Sequence, residues 1–290
     1  MRMCEQAERE GENFVKKREK QQKKQTGTTA AVWVIVLAVW LALCVLVPVC
    51  WPWSYTEQNA EIRNQGMSVL HWFGTDKFGR DLFARVWHGA GVSLLIGSAS
   101  AALNGVIGIL WGAVSGYAGK YTDLILMRAA DMISAVPSMI YVILITLVRG
   151  AGAGSMILGL CVSGWIPMAR TVRGEIMRLK GMDFAAAARM ENIPVLRILL
   201  RHLLPNAAGP ILVNLIFLIP QGIVTEAFLS FLGAGIAAPA VSLGTMIRGA
   251  QSQMLLYPYQ MIWPLIVLCV MLLALNGIGS ALEQRGGGRR

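Results

Sequence analysis

The chain has 290 residues, of which 55% are hydrophobic and 14% charged, and it carries a formal net charge of +10. With a mean hydropathy of +0.55, this composition excludes an ordinary soluble domain and points to a membrane protein. The basic residues gather at the ends of apolar runs, so topology and anionic membrane lipid account for the charge, and nucleic acid is not an expected partner.

Residues 1–29 mix Lys and Arg with five Glu and read as a solvated helix or disordered arm, a basic cytoplasmic tail without an activity of its own. A membrane-spanning helix needs about 20 mostly apolar residues to cross about 30 Å of hydrocarbon. The first such run, 30–53, is too long for the core of a cleaved signal peptide and is expected to remain as an anchor. An external loop, 54–90, follows. Within it "FGTDKFGRD" gathers Gly74, Thr75, Asp76, Gly79, Arg80 and Asp81 just before the second apolar run, a polar turn suited to capping that helix, with Arg80 paired to Asp76 or Asp81. External docking is the alternative use of these residues.

The second run extends from Val86 to Gly119 with His88 as its one ionisable group, and the third from Leu124 to Val148. Gly108, Gly112 and Gly116 recur every fourth residue on one face, where another helix can approach closely, either within the chain or from a partner. Arg128 and Asp131, three apart in the third run, are placed to pair on one helical face. The fourth run is Gly150–Ala169. The fifth spans roughly Ala207–Thr225 and the sixth lies within Tyr257–Leu282. The expected fold is therefore all-α, with six transmembrane helices. Residues 91–285 form the core, and 286–290 a short cytoplasmic tail. Glu226 ends the fifth run beside the Gly-rich "FLGAGIAAPAVSLG", whose irregular backbone must be covered by protein or face a water-filled cavity, so Glu226 is a candidate pathway residue with Arg248 as partner.

Basic residues near helix ends set orientation. They concentrate in the N-terminal tail, between the fourth and fifth runs (Arg170, Arg173, Arg178, Lys180, Arg189, Arg197, Arg201) and at the C-terminus (Arg285, Arg289, Arg290), so these regions share the cytoplasmic side. Cys4, Cys44, Cys50, Cys161 and Cys269 are scattered and all but Cys4 lie in apolar runs, where cysteine packs as a small apolar residue. His71, His88 and His202 have no metal-ligand spacing, and no metal site is expected. No GxxxxGK[ST] loop, HExxH or GxSxG occurs, so the chain reads as a non-enzyme that does not hydrolyse ATP by itself.

Between the fourth and fifth runs lies "DFAAAARMENIPVLRILLRHLLPN", residues 183–206. Asp183 reads as an N-cap, Phe184–Glu191 as an alanine-rich helix whose small side chains admit another surface, and Asn192 as a left-handed stop. Pro194 suits the first turn of a second helix with an apolar stripe of Leu196, Leu199, Leu200 and Leu203, which Pro205 would end. On periodicity alone, a basic amphipathic helix lying on the inner leaflet is the preferred reading of this pattern.

The same residues resemble the cytoplasmic EAA loop of bacterial ABC importer permeases, with Ala186 where that family usually has Glu and Asn192 where it usually has Gly. Ala187, Ala188 and the ending from Arg201 to Asn206 match. "HWFGTDKFGRDLFARVWHGAGVSLLIG", "GYAGKYTDLILMRAADMISAVPSMI" and "EAFLSFLGAGI" extend the resemblance over roughly His71–Glu283, to the C-type membrane subunit of the dipeptide, oligopeptide and nickel permease family. The resemblance implies the type I importer permease fold in a bacterial cytoplasmic (inner) membrane. It also implies a homologous B-type permease partner, two ABC ATPase subunits and an extracytoplasmic solute-binding protein. The partner ATPases would use ATP and Mg, and this chain itself would bind no cofactor. Coupling to the ATPases is carried over to Asp183, Ala186, Ala187, Ala188, Arg189, Asn192, Leu204 and Pro205. Cargo would be di- or oligopeptides, with nickel or a metal chelate as the alternative. Two readings from other classes stand beside it: an ion-coupled secondary transporter using Glu226 and Asp131, and a noncatalytic membrane scaffold.

Overall fold

A computed structural model describes residues 30–191 and 193–287, with side chains through residue 284. The expectations for the tail 1–29, for Asn192 and for residues 288–290 lie outside the described residues. Eleven helices are found among them: α1 (Ala30–Cys50), α2 (Leu82–Ala118), α3 (Lys120–Ser134), α4 (Ser138–Arg149), α5 (Ala153–Ser163), α6 (Ile166–Lys180), α7 (Asp183–Met190), α8 (Val195–Ile198), α9 (Leu204–Leu232), α10 (Leu243–Gln251) and α11 (Tyr259–Gly287). Five continuous segments are long and apolar enough to cross a membrane, namely Ala30–Cys50, Leu82–Ala118, Ala153–Lys180, Val195–Leu232 and Tyr259–Gln284. The sixth expected span is a bent pair, α3 and α4, meeting at 72°. Pro137 explains the break: it has no N–H to donate, and its ring disfavours helical backbone at Val136.

Other boundaries also differ from the apolar runs. Asp81 starts α2 four residues before Val86 by accepting the Ala84 N–H at 2.7 Å. α5 and α6 run together through Gly164 and Trp165, so the fourth span carries Arg170, Arg173, Arg178 and Lys180 well beyond Ala169. Pro205 does not end a helix. It lies in the first turn of α9, and Leu199–Leu203 joins α8 to α9 as a π-helical turn in which the Leu204 N–H bonds Leu199 O. The wider turn relieves the clash between the proline ring and the preceding turn, and it rotates the side chains that follow. The expected leucine stripe is therefore split. Leu199 and Leu203 are buried, whereas Leu196 and Leu200 are exposed.

Two apolar clusters hold the bundle. One joins α1, α2, α9, α10 and α11 through Trp40, Phe83, Trp87, Ile223, Leu243 and Met271. The other joins α2, α6, α7, α8 and α9 through Ala113, Val172, Ile176, Ala185, Ala188, Ile198 and Leu203. Between the clusters α2 lies directly on α6. A Cβ at Gly108 would stand 2.6 Å from Met168 Cβ, at Gly112 2.4 Å from Ala169 O, and at Gly116 2.9 Å from Arg173 O. The glycine face is thus filled by the chain's own α6 rather than by a partner.

Gly112→Ala is expected to destabilise the protein by about 1–3 kcal/mol, because the added methyl meets backbone that has no room to move. Gly174→Ala, on α6 with no atom within 4 Å of its added methyl, is the control. Thermal unfolding in detergent compares them, and an equal effect in both would remove the α2–α6 contact as the cause.

Candidate functional site

The segment 183–206 is built to hold one face inward and offer the other. α7 begins after Met182, whose backbone is extended and whose carbonyl accepts the N–H groups of Ala185 and Ala186. Asp183 is in the first turn and makes no side-chain cap, contrary to the expected N-cap, although its charge suits the positive end of the helix. Ala185 and Ala188 are buried against the cluster that contains Ile176 and Leu179 of α6. Arg189 reaches back, donating from Nε to Ala185 O at 3.1 Å and from Nη2 to Lys180 O at 3.0 Å, which clamps α7 to the end of α6.

The opposite face is free. Asp183, Phe184, Ala187, Met190 and Glu191 are exposed, Met190 at 85%. Val195, Leu196 and Leu200 add exposed apolar surface beyond the break. Of the expected contact residues, Asp183 and Ala187 lie on the exposed face and Ala186 is half-buried. Ala188 faces the chain's own core, and Arg189 serves the clamp. Leu204 packs partly into the same cluster, and Pro205 sits exposed in the first turn of α9. Pattern reading did not single out Met190 and placed Leu196 on one stripe with the buried Leu199 and Leu203. The exposure of Leu196 is concealed by a helical period that the π turn breaks, and that of Met190 depends on how α7 docks on α6.

The loop before α2 folds on itself. Asp76 Oδ1 accepts the N–H groups of Phe78 and Arg80 at 2.8 and 3.0 Å, and its Oδ2 lies 2.6 Å from Arg80 Nη2. Asp81 takes the cap of α2 with one oxygen and His71 Nδ1 at 2.8 Å with the other. Thr75 donates to Ile62 O and accepts the Gln65 N–H. Gly79, at φ +73°, lies so close to Asn59 that a Cβ there would stand 1.7 Å from its carbonyl oxygen, and Gly74, at φ +77°, makes the other tight turn. The six expected residues are therefore consumed by capping and turning. Phe78, exposed, and Lys77, half-buried, are what the loop presents outward.

Glu226 is fully buried inside α9 instead of ending it. Its Oε2 accepts from Ser93 Oγ of α2 and its Oε1 from Ser230 Oγ, both at 2.7 Å. Ser93 Oγ in turn accepts the Leu243 N–H at the start of α10, at 3.3 Å. The carboxyl group thus ties α2, α9 and α10 together and is enclosed by the chain, which removes it from the expected pathway. Arg248 is not its partner. The guanidinium of Arg248 lies over Gly233, the left-handed residue that ends α9, where a Cβ would stand 2.2 Å from Nη1. The expected Arg128–Asp131 pair is also replaced: Asp131 pairs with Arg170 at 2.9 Å, and Asp123 with Arg173.

The family described as binding-protein-dependent transport system inner membrane component matches residues 108–285. The chain belongs to this family. It is 38% identical over 255 residues to the oligopeptide transport system permease protein OppC of Bacillus subtilis (strain 168), covering 88% of this chain and 84% of that protein. It is 35% identical over 250 residues to the dipeptide transport system permease protein DppC of the same strain, covering 86% and 78%. Among solved structures, the MetNI methionine ABC transporter in inward-facing conformations superposes with a TM-score of 0.57 at 18% identity, over 70% of this chain and 96% of that one. An amino acid ABC transporter gives 0.53, also at 18% identity, over 69% and 93%. The fold is that of ABC importer permeases, and the protein is a multi-pass inner-membrane transport subunit that acts with a solute-binding protein and ATPase subunits. The ion-coupled and scaffold readings are set aside by this membership.

Glu226→Ala is expected to cost about 1–3 kcal/mol, since it leaves two buried hydroxyl groups without their acceptor. Glu226→Gln keeps an acceptor oxygen and should cost less. Thermal unfolding of the purified protein, with Arg248→Gln alongside, checks the assignment. A loss from Arg248→Gln equal to that from Glu226→Ala would restore the arginine as partner.

Proposed function

We propose that the chain is the C-type permease subunit of a peptide importer, pairing with a homologous B-type subunit to enclose a path for di- or oligopeptides. The names of OppC and DppC, at 38% and 35% identity over most of the chain, support peptides as cargo over nickel. Two ATPase subunits supply the energy from Mg and ATP, and this chain binds neither. Both termini and segment 183–206 face the cytoplasm, in keeping with the basic residues near those helix ends.

The observation that carries the coupling role is the division of α7 into a clamped face and a free one. Ala185 and Ala188 are buried on α6, while Phe184, Ala187 and Met190 are open to a second surface. Closure of the ATPases would press on that open face. α6 would move with it through the shared cluster and the Arg189 clamp, and α9 through the π-helical turn. Such a shift needs contacts that differ between two states, and the exposed face of α7 supplies them on the cytoplasmic side. The bound lipid is the annulus around the outward faces of the spans.

Uptake of labelled dipeptide, oligopeptide and nickel in a deletion strain complemented with wild type or with Ala187→Glu tests this reading. Ala187 is exposed, so the variant should reach the membrane at normal levels. A buried charge at the docking face should weaken ATPase association about tenfold, near 1.4 kcal/mol, and peptide uptake should fall with it. Uptake of nickel alone would change the cargo, and full activity of the variant would remove the coupling role.

A further inference from the structure

A cleft of about 680 Å³ opens between the end of α2, the first turns of α3 and the last turns of α6. Its walls carry four cations, Lys120, Arg128, Arg173 and Lys180, and two carboxylates, Asp123 and Asp131. Both carboxylates are already engaged: Asp123 with Arg173 and with Ser115 Oγ, and Asp131 with Arg170. Lys180 donates to Tyr117 O and lies over the Tyr117 ring. Lys120 and Arg128 are exposed and make no ion pair or hydrogen bond among the described residues. The cleft therefore holds a surplus of positive charge with no internal acceptor.

Two more features define what would fill it. α3 starts at Gly119, which provides no side-chain cap, so the first N–H groups of a 15-residue helix open beside Lys120. The remaining wall is apolar: Leu124, Met127 and Met177 line the cleft, with Leu124 and Met177 also exposed. Lys120 and the free N–H groups mark one end of the cleft, Leu124, Met127 and Met177 its apolar wall, and Arg128 a further cation about 12 Å along α3, a lining that matches an anion carrying a hydrocarbon chain. A free phosphate would leave the apolar wall wet. Basic pockets between helices at the inner membrane surface take anionic lipid headgroups for this reason.

We propose that this cleft binds one anionic phospholipid, its phosphate held by Lys120 and the uncapped start of α3, its acyl chain lying along Leu124 and Met177, and Arg128, two turns further along α3, adding its charge to the cleft. The proposal rests on the topology proposed above: with loop 54–90 outside and segment 183–206 inside, the α2–α3 turn falls on the cytoplasmic side. Occupancy would brace α3 against α6 where the Asp123–Arg173 pair joins them, making the lipid a structural ligand of the helix that carries α7.

The assembled transporter in nanodiscs, with phosphatidylglycerol as probe against a phosphatidylcholine background, provides the test by native mass spectrometry of retained lipid. Wild type should retain phosphatidylglycerol over phosphatidylcholine. Lys120→Gln and Arg128→Gln should each weaken retention about fivefold, the effect of about 1 kcal/mol per basic residue near a membrane surface. Equal retention of the two lipids by wild type, or unchanged retention in both variants, overturns the proposal. Displacement by inorganic phosphate alone identifies a free-phosphate site instead, and displacement by cargo dipeptide assigns the cleft to the transport path. Either result overturns it too. Lys120→Cys labelled with an impermeant maleimide separates the two readings: labelling from outside defeats the topology, whereas labelling from inside with no lipid preference defeats only the lipid site.

Discussion

The packing of α2 on α6 is the contact on which the rest of the bundle depends. Within a bilayer, apolar surface gains nothing by leaving lipid for another helix, so association comes from close van der Waals contact and from polar groups that find partners. Gly108, Gly112 and Gly116 bring the backbone of α2 against the carbonyls and side chains of Trp165, Met168, Ala169, Val172 and Ile176. That approach sets the distance at which Ser115 and Arg173 share Asp123. It also places Ile176 and Leu179 where α7 can dock. A wider separation would loosen every one of these contacts together.

Segment 183–206 is an extension of this packing rather than a separate module. α7 is only eight residues long, too short to be stable alone. Its order comes from Ala185 and Ala188 in the shared cluster and from the Arg189 clamp on Lys180 O. On the other side of the break, the chain runs from Val195 to Leu232 as one helix with a π-helical turn inside it. Under the proposed function, a force on α7 is therefore delivered to two spans at once. It reaches α6 through buried alanines, and α9 through the π-helical turn at Leu199–Leu203.

Hydropathy made the spans legible, because about 20 apolar residues have few other uses. The glycine face was legible for a similar reason, since spacing of four in an apolar helix implies close approach. Partners across the fold were not. Asp131 has Arg128 nearby in sequence but meets Arg170, 39 positions away, and Glu226 meets Ser93, 133 positions away. A single sequence carries no signal for such pairs, as hydroxyl groups are common and chemically mild. The π turn failed to appear for a different reason. Leu196, Leu199, Leu200 and Leu203 fit an ordinary helical stripe, and only the local widening before Pro205 turns half of them outward. In the alanine-rich stretch the composition was legible, but which alanine faces inward depended on the angle between α6 and α7.

α9 links the two halves of the molecule, and its polar groups are distributed accordingly. Pro205 and Pro210 lie in its first turns and Pro220 further along, where each removes a backbone donor and weakens local stiffness. Beyond Pro220 the helix is held firmly. Glu226 ties it to Ser93 of α2 and, through that serine, to the start of α10, while Gly244 lets α10 approach within 2.4 Å of Ala227 O measured from a Cβ position. An unpaired carboxylate in this setting would be costly, so the two serine hydroxyls are conditions for Glu226 being there at all. The result is a span pinned at its far end and softened by prolines between that pin and segment 183–206. Under the proposed function, movement delivered at the α8–α9 junction would be taken up by bending near Pro210 and Pro220, with the cluster around Glu226 as the fixed end.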